Sequence, residues 1–146
     1  MIFVVRYELF SSDSLAKQFV SVAAKEVYNY SNSLKFGFTL VKQNGLLTSN
    51  NIIEIRSVLE ETRTGFRKVP GTSLKNDQTD ELIYLPPQNF DEINEYMNNL
   101  EAFINDSELS DIDPLVKLAI THHQFESIHP FYDGNGSVGF PFFGHL

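Results

Sequence analysis

The 146-residue chain has no cysteine, and this removes three classes of chemistry at once: a disulfide framework, a thiolate metal site and a cysteine nucleophile. It is also short of positive charge, with 11 Lys and Arg against 19 Asp and Glu and a formal net charge of -8. Binding to a phosphate backbone rests on cations that displace counterions, so nucleic acid is not expected as a partner. No apolar run approaches the roughly 18 to 20 residues needed to cross a bilayer. The opening Met1-Ile-Phe-Val-Val5 is interrupted by Arg6 and Glu8 without a small-residue cleavage site, so neither a membrane nor a secretory route is expected and a cytoplasmic location is. Internal repeats, low-complexity tracts and linkers are lacking too. The expectation is a single domain over residues 1–146.

What is present is the material of one helical core. Hydrophobic residues make up 42% of the chain, including 13 Phe and 6 Tyr. From Ser14 to about Leu40, Leu15, Phe19, Val22, Val27, Tyr30, Leu34 and Phe38 recur at spacings of three to five and predict helix, with Ser11, Ser12 or Asp13 as its cap and Gly37 either a weak point in one helix or the break between two. Thr48-Ser-Asn-Asn51 offers N-caps for a second helix carrying Ile52, Ile55, Val58 and Leu59, which fades at Thr62. Between Gly65 and Pro87 the turn pair Pro70-Gly71, a polar stretch and the extended Leu82-Ile-Tyr-Leu85 predict a β-hairpin or flap.

Ile93, Tyr96, Met97, Leu100, Phe103 and Ile104 then mark a third, amphipathic helix over about Asn89 to Asn105. Asp113-Pro114 opens a fourth. Asp suits the N-cap, and Pro suits the first helical position because its missing N–H would have had no partner there. Leu115, Leu118, Ala119, His122, Phe125 and Glu126 trace this helix to Ile128. The fold class expected is all-α with one small β-hairpin.

Directly after that helix comes His129-Pro-Phe-Tyr-Asp-Gly-Asn-Gly136. Two glycines around one asparagine are what an anion-holding turn needs, since Gly adopts positive φ and lets backbone N–H groups approach an oxygen closely. A helix beginning near Asn135 would add donors. Asp133 places a carboxylate beside the turn for a hard cation, and His129 titrates near neutrality, where it can accept a hydroxyl proton. These parts suit transfer from a nucleotide. Taken alone, Asp-Gly-Asn-Gly is an ordinary surface turn. A three-histidine metal site is not expected, because His122 and His123 point in different directions on a helix.

The constellation resembles the Fic family, whose motif runs His-Pro-Phe-x-Asp/Glu-Gly-Asn-Gly-Arg-x-x-Arg, and the match holds over eight consecutive positions through Gly136. Val27-Tyr-Asn-Tyr30, Leu46-Leu-Thr48, the Pro70-Gly71 region, Tyr84-Leu-Pro-Pro87, Leu100-Glu-Ala-Phe-Ile104 and His122-His-Gln-Phe-Glu126 are similar to family segments in family order. The resemblance implies a helical core that moves AMP from ATP onto a Ser, Thr or Tyr hydroxyl of a target protein. It implies His129 as general base, Asp133 as Mg²⁺ ligand, Gly134, Asn135, Gly136 and the following Ser137 around the phosphates, and Phe131 buried beneath the loop. The flap from Gly65 to Leu85 would pair with an extended stretch of the target.

The resemblance breaks after Gly136. Ser137 and Phe140 stand where the family has two phosphate-gripping arginines, and Pro141 would break the helix expected there. Losing a charge-assisted contact costs about 1.5–3 kcal/mol, and losing one transition-state donor costs roughly 10²–10³ in rate. The expectation is therefore an impaired transferase or a non-catalytic, protein-binding remnant. Its parts would be an amino-terminal extension over about 1–26, a family-like core over 27–139 and a divergent tail over 140–146, truncated or frameshifted near Ser137. The family's inhibitory Ser/Thr-x-x-x-Glu-Gly/Asn motif is not matched: Ser57 and Glu61 have the spacing, but Thr62 follows. Inhibition by a partner protein and inhibition by a missing amino-terminal segment are the alternatives left.

Overall fold

The computed structural model describes residues 21–106, 108, 112–136 and 138. Four helices and a two-stranded hairpin follow one another: α1 Val22–Asn44, α2 Ser49–Glu60, β1 Leu74–Lys75, β2 Leu82–Tyr84, α3 Phe90–Asn105 and α4 Pro114–Ile128. The helical fold class and the small hairpin are those expected from the pattern of residues.

Local chemistry accounts for most of the boundaries. The Asn89 side chain accepts from the Asp91 N–H and starts α3, and Asp113 does the same for α4 through the Leu115 N–H, with Pro114 in the first turn. Thr48 and Asn51 form a reciprocal capping box at α2. Gly45 closes α1 at φ 69°, its N–H donating to the Val41 carbonyl at 2.8 Å.

The first helix differs from expectation in two ways. It begins at Val22, because the Ser21 hydroxyl accepts from the Ala24 N–H at 3.2 Å; the caps expected at Ser11, Ser12 and Asp13 lie outside the described residues. It also runs unbroken through Gly37, and its buried residues are the small ones, Ala24, Ser33 and Gly37. Val22, Val27 and Phe38, expected on the inner face, are exposed. Small side chains let α1 lie close along α2, while Tyr30 and Val41 pack against the core partly buried, and Leu34 is partly buried too.

The core comprises Ile52, Ile55 and Leu59 of α2, Ile93, Met97, Leu100 and Ile104 of α3, and Phe125 and Ile128 of α4, closed by Leu47, Phe66, Phe131 and Val138. On α3 the buried positions are separated by four, three and four residues, the inner stripe of an amphipathic helix. On α4 the buried residues are Thr121, Phe125 and Ile128, while Leu115 and Ala119 are exposed. That helix carries apolar residues around much of its circumference, so periodicity alone did not select its inner face.

Polar side chains of α3 stitch the helices together. Asn105 at the end of α3 accepts from the Leu47 N–H at 3.0 Å and donates to the Leu47 carbonyl at 2.8 Å, and Glu101 accepts from the Ser49 N–H at 2.6 Å. The hairpin pairs Leu74 with Tyr84 and Lys75 with Leu82, antiparallel with an irregular register. Strands this short gain little from their own ladder. The Asn76 side chain holds the turn by accepting from the Gln78 and Thr79 N–H groups, and the Tyr84 hydroxyl ties the second strand to α4 by donating to the Ser127 carbonyl at 3.0 Å.

Candidate functional site

The loop that follows α4 is built from its own residues first. His129 ends the helix in the left-handed region at φ 49°, its N–H donating to the Phe125 carbonyl at 2.9 Å. A non-glycine residue held there stores about 1–3 kcal/mol unless its surroundings enforce it. They do so here through Arg67, fully buried, whose Nε donates to the His129 carbonyl at 2.7 Å and whose Nη2 reaches the Ile128 and Pro87 carbonyls. The Arg67 N–H donates to the Pro130 carbonyl at 2.8 Å. One side chain thus fastens the end of α4 to the base of the flap.

Pro130 and Phe131 then turn inward. The Phe131 ring is fully buried, with its centroid 5.4 Å from Phe66 and 6.3 Å from Phe125. Asn135 closes the loop over it: its Oδ1 accepts from the Phe131 N–H and its Nδ2 donates to the Phe131 carbonyl, both at 2.9 Å. The buried amide therefore satisfies two backbone groups that the turn would otherwise strand. Gly134 sits at φ 80°, the left-handed conformation for which a side chain is a cost, and its N–H has no acceptor among the described residues. The Val138 N–H donates to the Gly134 carbonyl at 2.9 Å, so a helical turn follows directly.

The structure thus brings His129, Asp133, Gly134, Asn135 and Gly136 into one short loop, and Ser137 lies outside the described residues. Asn135 is buried, Gly136 and Asp133 are exposed, and the Asp133 carboxylate makes no hydrogen bond or ion pair among the described residues. His129 is half-buried. Burial lowers its pKa below the ordinary 6.5; the Glu126 carboxylate opposes that shift, Arg67 adds to it, and the Glu126 backbone carbonyl also opposes it. Its Nδ1 is buried without a hydrogen-bond partner at normal distance, so the carbonyl's influence is electrostatic rather than a formed bond.

Four residues around the loop were not singled out by the motif. Arg56 of α2 is nearly fully buried, and its Nε and Nη2 donate to the Asp133 carbonyl at 3.3 and 3.2 Å. Its signal was an arginine falling among Ile52, Ile55 and Leu59 on an apolar face. Arg67 had no such signal. The Tyr132 hydroxyl accepts from the Lys68 and Val69 N–H groups at 3.0 and 2.9 Å, linking the loop to the start of the flap. Glu60 lies so close that a Cβ placed on Gly134 would meet its Oε1 at 2.6 Å. Glu61, which has the spacing of the inhibitory motif, instead caps α2 and pairs with Lys25.

The family model described as the Fic/DOC family matches residues 46–146, more than two thirds of the chain. The chain belongs to the Fic/DOC family. It is similar to a protein adenylyltransferase Fic from Aedes aegypti, with 31% identity over 99 residues that make up 67% of this chain and 19% of that protein. The likeness in fold extends to a Fic domain containing signaling protein from Bacteroides thetaiotaomicron, with TM-score 0.78 and 16% identity over 99% of this chain and 55% of that one. Fic-1 of C. elegans gives TM-score 0.71 and 20% identity over 98% of this chain and 41% of that one. The chain thus spans about a fifth of the curated relative and about half or less of these solved structures. Among the described residues of this Fic domain, no helix is long and apolar enough to cross a membrane.

Proposed function

We propose that this Fic domain descends from, and retains the loop of, an enzyme that transfers AMP from ATP to a hydroxyl of a target protein. The observation that carries the reading is the loop itself: a Gly134 N–H without an acceptor, a buried Asn135 bracing the turn, and a half-buried His129, within six residues of one another in sequence. His129, kept neutral near pH 7 by its lowered pKa, takes the proton of the target hydroxyl. The hydroxyl oxygen then bonds to the α-phosphorus of ATP as the bond to the bridging oxygen breaks, and pyrophosphate leaves. Gly134, Asn135 and Gly136 cradle phosphate oxygens through backbone N–H groups, with Ser137 next in line.

Mg²⁺ suits the donor set. Among the described residues no group of three or more acidic or histidine side chains gathers; the exposed Asp133 carboxylate has no partner there, and the Glu60 carboxylate lies against Gly134 on the same loop. That is the pattern expected of a cation held by one carboxylate with substrate phosphates and water. When bound it would offset phosphate charge.

Incubation with labelled ATP and Mg²⁺ should give label on a protein hydroxyl, abolished by His129→Ala. Absence of label from the protein and from added lysate would refute the reading. Ser137 and Phe140, in place of arginines, favour a second reading, a protein-binding module that does not hold ATP productively. Calorimetry with ATP and Mg²⁺ separates the two, because micromolar binding contradicts the second.

A further inference from the structure

Buried arginine is costly, because removing a guanidinium from water is repaid only by well-placed hydrogen bonds or an opposite charge. Arg56 and Arg67 are 5% and 0% exposed. The ion pairs among the described residues are Lys25–Glu61 and Lys75–Asp80, so neither arginine has a carboxylate partner there. Both spend their donors mainly on backbone carbonyls of the segment that carries the loop. Arg67 spreads its contacts over His129, Ile128 and Pro87, which is the work of a fastening.

Arg56 concentrates its contacts instead. Nε and Nη2 converge on the single carbonyl of Asp133, Nη1 donates to the Thr64 hydroxyl at 2.5 Å, and the guanidinium carbon stands 4.7 Å from the Phe131 ring centroid. The hydroxyl and the ring leave the guanidinium little freedom to turn, so the carbonyl has a fixed cation to point at.

The consequence follows from the planarity of the peptide. Among the described residues no peptide bond is cis, so the Asp133 C=O and the Gly134 N–H belong to one trans unit and point in opposite directions. With the oxygen drawn inward to Arg56, the N–H is directed outward, and there it has no acceptor among the described residues. Rotating the unit would strand two guanidinium donors and press the N–H toward a cation. The positive charge behind the carbonyl also aligns the peptide dipole, with its positive end toward the site.

We infer that Arg56 is a positioning residue of the phosphate nest: by holding the Asp133 carbonyl inward it presents the Gly134 N–H to an anionic phosphate oxygen. The inference rests on the reading of this loop as a phosphate site. It also assigns a cationic residue to that site at a position outside the His129–Gly136 motif.

The test uses the isotope-labelled chain, inorganic pyrophosphate and ATP with Mg²⁺ as probes, and Arg56→Lys and Arg56→Gln as variants. In the wild type the Gly134 amide resonance should move on titration. Arg56→Lys keeps the charge but not the two-donor fork. It should shift the Asp133 carbonyl carbon and Gly134 amide resonances of the free protein and weaken pyrophosphate binding about tenfold, the cost of one charge-assisted hydrogen bond. Arg56→Gln should do at least as much. Thr64→Val, at an exposed position, frees the guanidinium to turn and should move the same resonances by a smaller amount, which keeps the test available if the arginine variants do not fold.

Unshifted Asp133 and Gly134 resonances would overturn the inference. So would shifted resonances with unchanged affinity, or full retention of affinity by Arg56→Lys, which would make charge alone sufficient. If the wild type itself binds neither probe, the phosphate reading fails and the inference falls with it. That failure is distinguishable, because it appears before any variant is made.

Discussion

Replacing Gly134 by alanine tests the loop geometry at its tightest point. The backbone there is at φ 80°, and the new Cβ would lie 2.6 Å from Glu60 Oε1, 3.1 Å from its Cδ and 3.4 Å from its Cγ. The left-handed conformation costs an L-residue roughly 1–2 kcal/mol. The contact is with the end of a flexible side chain, so it is relieved by turning Glu60 off its preferred rotamer, at about 0.5–1.5 kcal/mol. Against these, alanine restricts the unfolded chain and returns about 0.4–1 kcal/mol. The net expectation is destabilisation of about 0.5–3 kcal/mol, read from urea unfolding midpoints at unchanged m-value. The two contributions separate in a cycle with Glu60→Ala: the steric part should vanish in the double variant, giving a coupling of about 0.5–1.5 kcal/mol, while the φ part remains. A Gly134→Ala chain as stable as wild type, or a cycle with no coupling, would refute the geometry argued for this turn.

Three further outcomes follow from the same site. Phe131→Ala removes a fully buried ring between Phe66, Phe125 and Arg56 and should cost about 3–5 kcal/mol, with the loop amides exchanging faster than those of α3; a loss below about 1 kcal/mol would show the ring is not part of the core. His129 has a folded-state pKa below 6.5, so the unfolded chain binds more protons as pH falls past that value. Wild-type stability should therefore decline relative to His129→Gln as pH drops below 6.5 and level off under the folded pKa; parallel stability curves would contradict the shift. Tyr132→Phe deletes the acceptor of two exposed N–H groups and should speed hydrogen exchange selectively at Lys68 and Val69, with a stability change under about 1.5 kcal/mol; unaltered exchange there would argue against the link between loop and flap.

The sequence by itself determined the elements whose information is local. Asn89 and Asp113-Pro114 start α3 and α4 through contacts within two residues, Gly45 ends α1, and the stripe on α3 names its own buried positions. The loop after α4 was legible for the same reason: its glycines and Asn135 act on neighbours no more than four residues away, and eight consecutive motif positions mark the family. Tertiary structure decided what depends on partners distant in sequence. It buried Ala24, Ser33 and Gly37 of α1 most deeply and left Val22, Val27 and Phe38 exposed, and it chose Phe125 and Ile128 rather than Leu115 for α4, because an apolar side chain is buried only where another element covers it. It also brought Arg56 and Arg67 behind the loop across 77 and 62 residues of chain. No periodicity records that a buried guanidinium will find its acceptors on carbonyls so far along, since the acceptors exist only once the loop is folded against α2.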